Sequence, residues 1–179
     1  LWADDDLMVP RSLAACAQFL ERHRDFSVAH GVGGLFTVQP SQNGTVTLDI
    51  GLFVLRSLLD EAASTRLLGY QSTSKGCSLF YSVHRTPELQ RNLEQCARYG
   101  FGYFWGEMAL AWLAVIQGKA RQLDHLYIMR HIHDGQGDDW DTEGRRNAFD
   151  WVTGAGFPDT CERFLECIAG ELAKCSGIS

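Results

Sequence analysis

The run Gly106–Gln117, GEMALAWLAVIQ, is apolar almost all the way round a helical wheel. A surface helix keeps one polar face; a helix without one must be enclosed by other elements. This segment therefore predicts a central, buried helix in a layered fold. Its densest apolar stretch, Met108–Ile116, falls far short of the ~20 residues that cross a bilayer, so no membrane span is expected. A core of that kind needs chain to surround it. The 179 residues supply enough for one domain, while two would be cramped. Apolar residues at 45% and charged residues at 21% match an ordinary globular balance, and residues 1–179 are read as one domain.

The segments around this helix alternate in character. Pro10 suits the first turn of a helix running to about His23, with Leu13, Cys16, Ala17 and Leu20 on one face. Phe26–Val38 and Thr45–Ile50 read as extended, and Pro40–Gly44 with its Asn43-Gly44 pair reads as a hairpin turn between them. Phe53–Leu68 is expected to be helical, with Leu55, Leu58, Leu59 and Ala62 as its stripe. Leu79–Val83 is expected to be a short strand. Thr86 is the expected cap of the next helix, with Pro87 at its first position and Leu89, Leu93, Cys96 and Ala97 buried. A strand around Leu126–Met129 follows the central helix. His133–Arg146 is polar, Gly-rich and acidic, a loop by composition. Helices are predicted near Arg146–Thr153 and Pro158–Lys174, the second with a stripe of Phe164, Leu165, Ile168 and Leu172. The pattern is mixed α/β with an antiparallel element and no internal repeat.

The net charge of −6 is spread thinly. No basic cluster points to nucleic acid, and no basic amphipathic helix points to a membrane surface. The six cysteines include no CxxC pair, so a structural zinc site is not expected. Cys16 and Cys96 sit on apolar helix faces; reduced, mostly buried thiols of a cytoplasmic protein are the expectation. The first ten residues are acidic, with no secretory signal and no initiator Met, so the start is read as an internal point of a longer protein.

Three groups of residues carry candidate chemistry. Asp4, Asp5 and Asp6 follow the apolar Leu1–Ala3, read as the end of a strand. Adjacent carboxylates repel, and a divalent cation such as Mg²⁺ or Mn²⁺ is the usual compensation. Ligands of open α/β sheets bind outside the carboxyl ends of strands, where these acids are expected. The competing reading is a solvated acidic turn ahead of the Pro10 helix. Arg130, His131 and His133 fall in RHIHDG, residues 130–135. The two histidines share a face if the strand continues, and His133 suits a metal ligand or a plain surface residue. Glu107 heads the apolar helix behind Tyr103, Phe104 and Trp105. A desolvated acid takes up a proton more readily, which suits a general base, and the rings suit the faces of a sugar. Alternatively Glu107 favours the helix N-terminus and the aromatics are core.

ADDDLMVPRSLAACAQFLERHRDFSVAHG (3–31), YSVHRT (81–86) and GEMALAWLAVIQGKARQLDHLYIMR (106–130) together resemble a family 2-type glycosyltransferase domain of a bacterial subgroup. The resemblance covers Ala3 to about Arg130. It implies a partial GT-A fold, a Rossmann-like three-layer α/β/α sheet. It implies a hexosyltransferase-like enzyme that moves a sugar from a nucleoside-diphosphate donor to an acceptor hydroxyl, metal-dependently and with inversion. Asp4 and Asp6 match the DxD motif, which holds Mn²⁺ or Mg²⁺ on the donor diphosphate, and Asp5 lies beside the ribose or sugar. Glu107 matches the base that deprotonates the acceptor. His133, less readily His131, matches a late histidine at the metal or diphosphate. Arg130 is placed to neutralise the leaving diphosphate, and Asp134–Asp141 to close over the donor.

The chain departs from the family pattern in two ways. Met108 stands where many relatives carry an acid after the glutamate. The nucleotide-binding βα units that normally precede the DxD strand are missing, so this is the metal-motif and acceptor-side part, and the isolated fragment need not be active. The sheet edge left beside Leu1–Ala3 would then invite a homo-oligomer. Two other functions fit some of the residues. One is a metal-dependent phosphohydrolase using the Asp triplet, His131, His133 and the loop acids Asp138, Asp139 and Asp141. The other is a non-catalytic sugar-binding fragment.

Overall fold

The computed structural model describes residues 6–40, 46–53, 56–73, 78–132 and 153–177. Strand β1 (Leu7–Met8) leads into helix α1 (Pro10–Arg22), β2 (Phe26–Pro40) and β3 (Val46–Phe53). Helix α2 (Ala63–Thr73), a 3₁₀ turn (Ser78–Tyr81), β4 (Val83–His84) and α3 (Thr86–Tyr99) follow. The chain then builds α4 (Tyr103–Gln117), β5 (Lys119–His131) and α5 (Phe157–Ser176). The fold is mixed α/β, as the sequence pattern predicts.

One five-stranded sheet runs β1-β5-β2-β3, with β4 also on β2. β2 and β5 are parallel; the other pairings are antiparallel. Val28 and Ala29 are neighbours on β2, so their side chains leave opposite faces. Val28 belongs to the core shared by α2, α3, α4 and α5, and Ala29 to a smaller one with Cys16 and Leu20 of α1. Around Val28 and Ala29 the sheet is thus covered on both faces.

The apolar helix is the centre of the larger layer. Ala109, Leu110, Ala111, Leu113, Ala114, Val115 and Ile116 are all buried. Its last carbonyls are capped from outside the helix. The Arg66 guanidinium donates to the carbonyl oxygens of Val115 (2.8 Å) and Ile116 (2.7 Å), and to those of Asp60 (2.8 Å) and Glu61 (2.7 Å). Helices α3, α4 and α5 are tied by Gln117, which exchanges hydrogen bonds with Asn92 and donates to Glu171. Gly118 then turns directly into β5, and a Cβ there would lie 2.7 Å from the Ser27 amide nitrogen.

Several local expectations are corrected. Phe53–Leu68 is not one helix: Phe53 ends β3, Leu58 bridges to Ala120, and α2 starts only at Ala63. The Leu58 amide and carbonyl bond to Ala120, so sheet-like pairing wins there over helical periodicity. Leu55 lies outside the described residues, and Leu59 is exposed. Leu79–Val83 is largely the 3₁₀ turn, with β4 only at its end. Thr86 is the first residue of α3 rather than its cap, which is Arg85. Leu93 and Leu165 are exposed, and Asn92 and Cys167 take the buried positions. The Pro40–Gly44 turn, the Leu1–Ala3 strand, the 133–146 loop and most of the 146–153 helix lie outside the described residues. Among the described residues, no helix is long and apolar enough to cross a membrane.

Candidate functional site

Asp6 owes its position to a short antiparallel pairing. Leu7 pairs with Met129 and Met8 with Ile128, which carries Asp6 opposite Arg130. The Asp6 side chain is completely buried, and its Oδ2 lies 3.2 Å from Arg130 Nε. A buried carboxylate needs a charge partner, and here a guanidinium provides one. The guanidinium carbon stands 4.1 Å from the centre of the Tyr81 ring, a cation–π contact. Tyr81 is fixed in turn, because the buried Tyr127 hydroxyl donates to its carbonyl oxygen at 2.9 Å. Burial raises the Tyr127 phenol above its ordinary range, which keeps it a donor at neutral pH.

The triplet was expected to follow a strand. The expected strand, Leu1–Ala3, lies outside the described residues; Asp6 directly precedes β1, beside the carboxyl end of the parallel strand β5. The strand that brings Arg130 there is irregular. β5 advances from Gln122 to Leu126 while β2 advances only from His30 to Val32. The surplus is a bulge, which bends and twists a strand. Gly31 permits it: a Cβ at that position would sit 2.3 Å from the His125 carbonyl oxygen. Beside Gly31 lies His30, fully buried, with Nδ1 3.1 Å from the Gly31 carbonyl. Burial pulls His30 down to about 4, so at neutral pH it is an uncharged donor.

His131 is the last residue of β5 and stacks on Phe36, its partner on β2, with centroids 4.8 Å apart and planes within 13°. Glu107 lies in the other layer. Helix α4 begins at Tyr103, earlier than expected, so Glu107 stands beyond the first turn and is buried. That burial does not fit a solvated acid placed to favour the helix N-terminus. Trp105 is core: its ring lies 5.0 Å from Phe164 and 5.6 Å from Phe157. It forms no open platform for a sugar.

The structure thus brings together Asp6 and Arg130, with Tyr81 beneath them and His131 next along the strand. Glu107 belongs to the helical layer instead. Asp4, Asp5, His133 and the loop acids Asp138, Asp139 and Asp141 lie outside the described residues. Among the described residues, no group of three His, Cys, Asp or Glu side chains is placed to hold a metal. Asp6 supplies one hard oxygen donor of the kind Mg²⁺ or Mn²⁺ prefers. The described cysteines are free thiols. Burial pushes Cys16 up to about 11 and Cys96 up to about 12, so these two are packing residues rather than nucleophiles. Tyr81 and Phe36 escaped the sequence reading, because contacts across a sheet leave no signal in local spacing. No protein-family model matches the chain, and no curated protein matches it.

Proposed function

We propose that the chain carries the metal-motif and acceptor-side part of a glycosyltransferase, partial GT-A in fold. It would transfer a hexose from a nucleoside-diphosphate donor to an acceptor hydroxyl with inversion. The observation that carries this reading is the buried Asp6–Arg130 pair beside the carboxyl end of β5, the end of a strand at which α/β sheets bind ligands. An acid and a cation side by side suit a metal–diphosphate: one side holds the ion and the other the phosphate oxygens.

On this reading Asp4, Asp6 and His133 would hold Mn²⁺ or Mg²⁺, which supplies positive charge against the leaving diphosphate when bound. Arg130 leaves Asp6 to pair with a phosphate oxygen, and Tyr81 keeps the guanidinium oriented through that exchange. Asp5 contacts the ribose or sugar. Glu107, which lies in the helical layer and not beside the Asp6–Arg130 pair, is the acceptor base that the resemblance implies. Replacing such a base costs about 10²–10⁴ in rate.

The same pair favours a second reading. Arg130 already neutralises Asp6, the service expected of a metal, so a non-catalytic sugar-binding fragment would need no ion. Calorimetric titration of UDP with and without Mn²⁺ separates the two. Mn²⁺-dependent binding, lost in Asp6→Ala and kept in Glu107→Gln, supports the transferase. UDP binding indifferent to Mn²⁺ sinks it. Release of UDP from a UDP-hexose, slowed in Glu107→Gln, then tests the chemistry.

A further inference from the structure

Among the described residues strand β3 is an edge of the sheet, and every residue from Val46 to Leu52 is exposed. Its residues alternate cleanly. Val46, Leu48, Ile50 and Leu52 share one face and are 55–74% exposed. Thr47, Asp49 and Gly51 share the other. Proteins normally blunt such an edge with proline, lysine, a bulge or short length. β3 is eight residues long, carries neither Pro nor Lys, and runs without a register shift from Gly33↔Phe53 to Pro40↔Val46.

We infer that β3 pairs antiparallel with β3 of a second copy of this chain, about a two-fold axis through Ile50. An open edge offers a row of backbone donors and acceptors, which another strand satisfies and a lipid does not. Among the described residues of the β2–β3 hairpin beyond Gly33, Asp49 is the sole charge, so nothing basic draws the face to an anionic membrane. The pattern is complementary to itself. An axis at Ile50 sets Ile50 against its own copy, Leu48 against the partner's Leu52, and Asp49 against the partner's Gly51. An axis at Asp49 keeps the same faces together but opposes two carboxylates, which destabilises a sheet. Charge therefore selects the Ile50 register.

In this register residues 47–53 are paired, an edge about 24 Å long at ~3.4 Å per residue. One strand's edge covers less than the ~800 Å² per partner of a standard stable interface, so the dimer belongs to the weak, reversible class. Gly51 makes the register testable. Its φ is not in the left-handed region, and a Cβ there would meet only Leu35 Cβ, at an ordinary 3.8 Å. In the Ile50 register, Gly51→Lys sets an ammonium opposite Asp49 of the other copy, twice per dimer. Two cross-strand ion pairs tighten association by roughly 2-fold to 30-fold, and Gly51→Glu loosens it comparably.

Sedimentation equilibrium of the intact chain from micromolar to millimolar concentration reads this directly, with circular dichroism confirming that each variant is folded. The expected result is a wild-type dimer, tightened by Gly51→Lys, loosened by Gly51→Glu and abolished by Ile50→Lys. A wild-type monomer throughout overturns the proposal. So does a dimer that both Gly51 variants shift in the same direction, or one that forms only with neutral phosphatidylcholine vesicles. The inference is independent of the glycosyltransferase reading.

Discussion

Strand β2 lives in two environments. Its first part, Ser27 to His30, is buried between α1 and the α4 layer. Its last part is exposed at Val38 and Gln39, as is β3 from Val46 to Leu52. Each part carries a valine with a polar neighbour, Val28 beside Ser27 and Val38 beside Gln39. What differs is the cover: a helix lies over each face of the first part, and among the described residues none packs on the second. Apolar patterning says that a face suits burial; it does not say which element buries it.

The largest effect that would break this contrast lies under the buried part. Arg66 caps the end of α4 with four bonds to carbonyl oxygens, and those to Val115 and Ile116 are buried. Removing the guanidinium orphans acceptors that cost about 1–3 kcal/mol each, so Arg66→Ala should destabilise by about 2–6 kcal/mol in urea unfolding. A loss below about 1 kcal/mol would mean that water reaches these carbonyls and that the helical layer is looser than its burial implies.

A medium effect comes from His30, at the boundary between the two environments. Burial holds its folded-state value at about 4, against 6.5 for the free side chain. The unfolded chain therefore binds a proton first on acidification. Stability is complete above pH 6.5 and falls progressively toward pH 4, by about 3 kcal/mol from this group. His84 shifts the same way, through burial, while its Nε2 donates to the Leu79 and Phe80 carbonyls. Urea midpoints at pH 7 and 4.5 measure the slope. His30→Gln should flatten it, and an unchanged slope would place the acid sensitivity elsewhere.

The elements were legible where pattern and cover agree. Helices α1, α4 and α5 and the β2–β3 pairing follow from proline positions, apolar periodicity and alternation. The largest misreading, the helix over Phe53–Leu68, comes from tertiary pairing. Leu58 bonds to Ala120 across the molecule, and the leucines around it cannot reveal that. The site was legible only as a list. Asp6 and Arg130 could be named from local chemistry, but their contact depends on the β1–β5 register and on a bulge that Gly31 permits. Arg66 gave no signal at all, because an arginine that binds carbonyls looks in sequence like any surface arginine.

The smallest effect is the sharpest use of the comparison, because it sets leucine against leucine. Leu113 is fully buried in α4, and Leu113→Ala should cost about 2–5 kcal/mol through lost contacts and the cavity left behind. Leu48 is 55% exposed on β3. In a dilute monomer Leu48→Ser removes little burial, and its urea midpoint should stay within about 0.5 kcal/mol of wild type. The same substitution takes away the side chain that meets the partner's Leu52, so its effect should grow with protein concentration. A large loss at low concentration would mean that the hairpin face is already covered within one molecule, and the two environments of β2 would collapse into one.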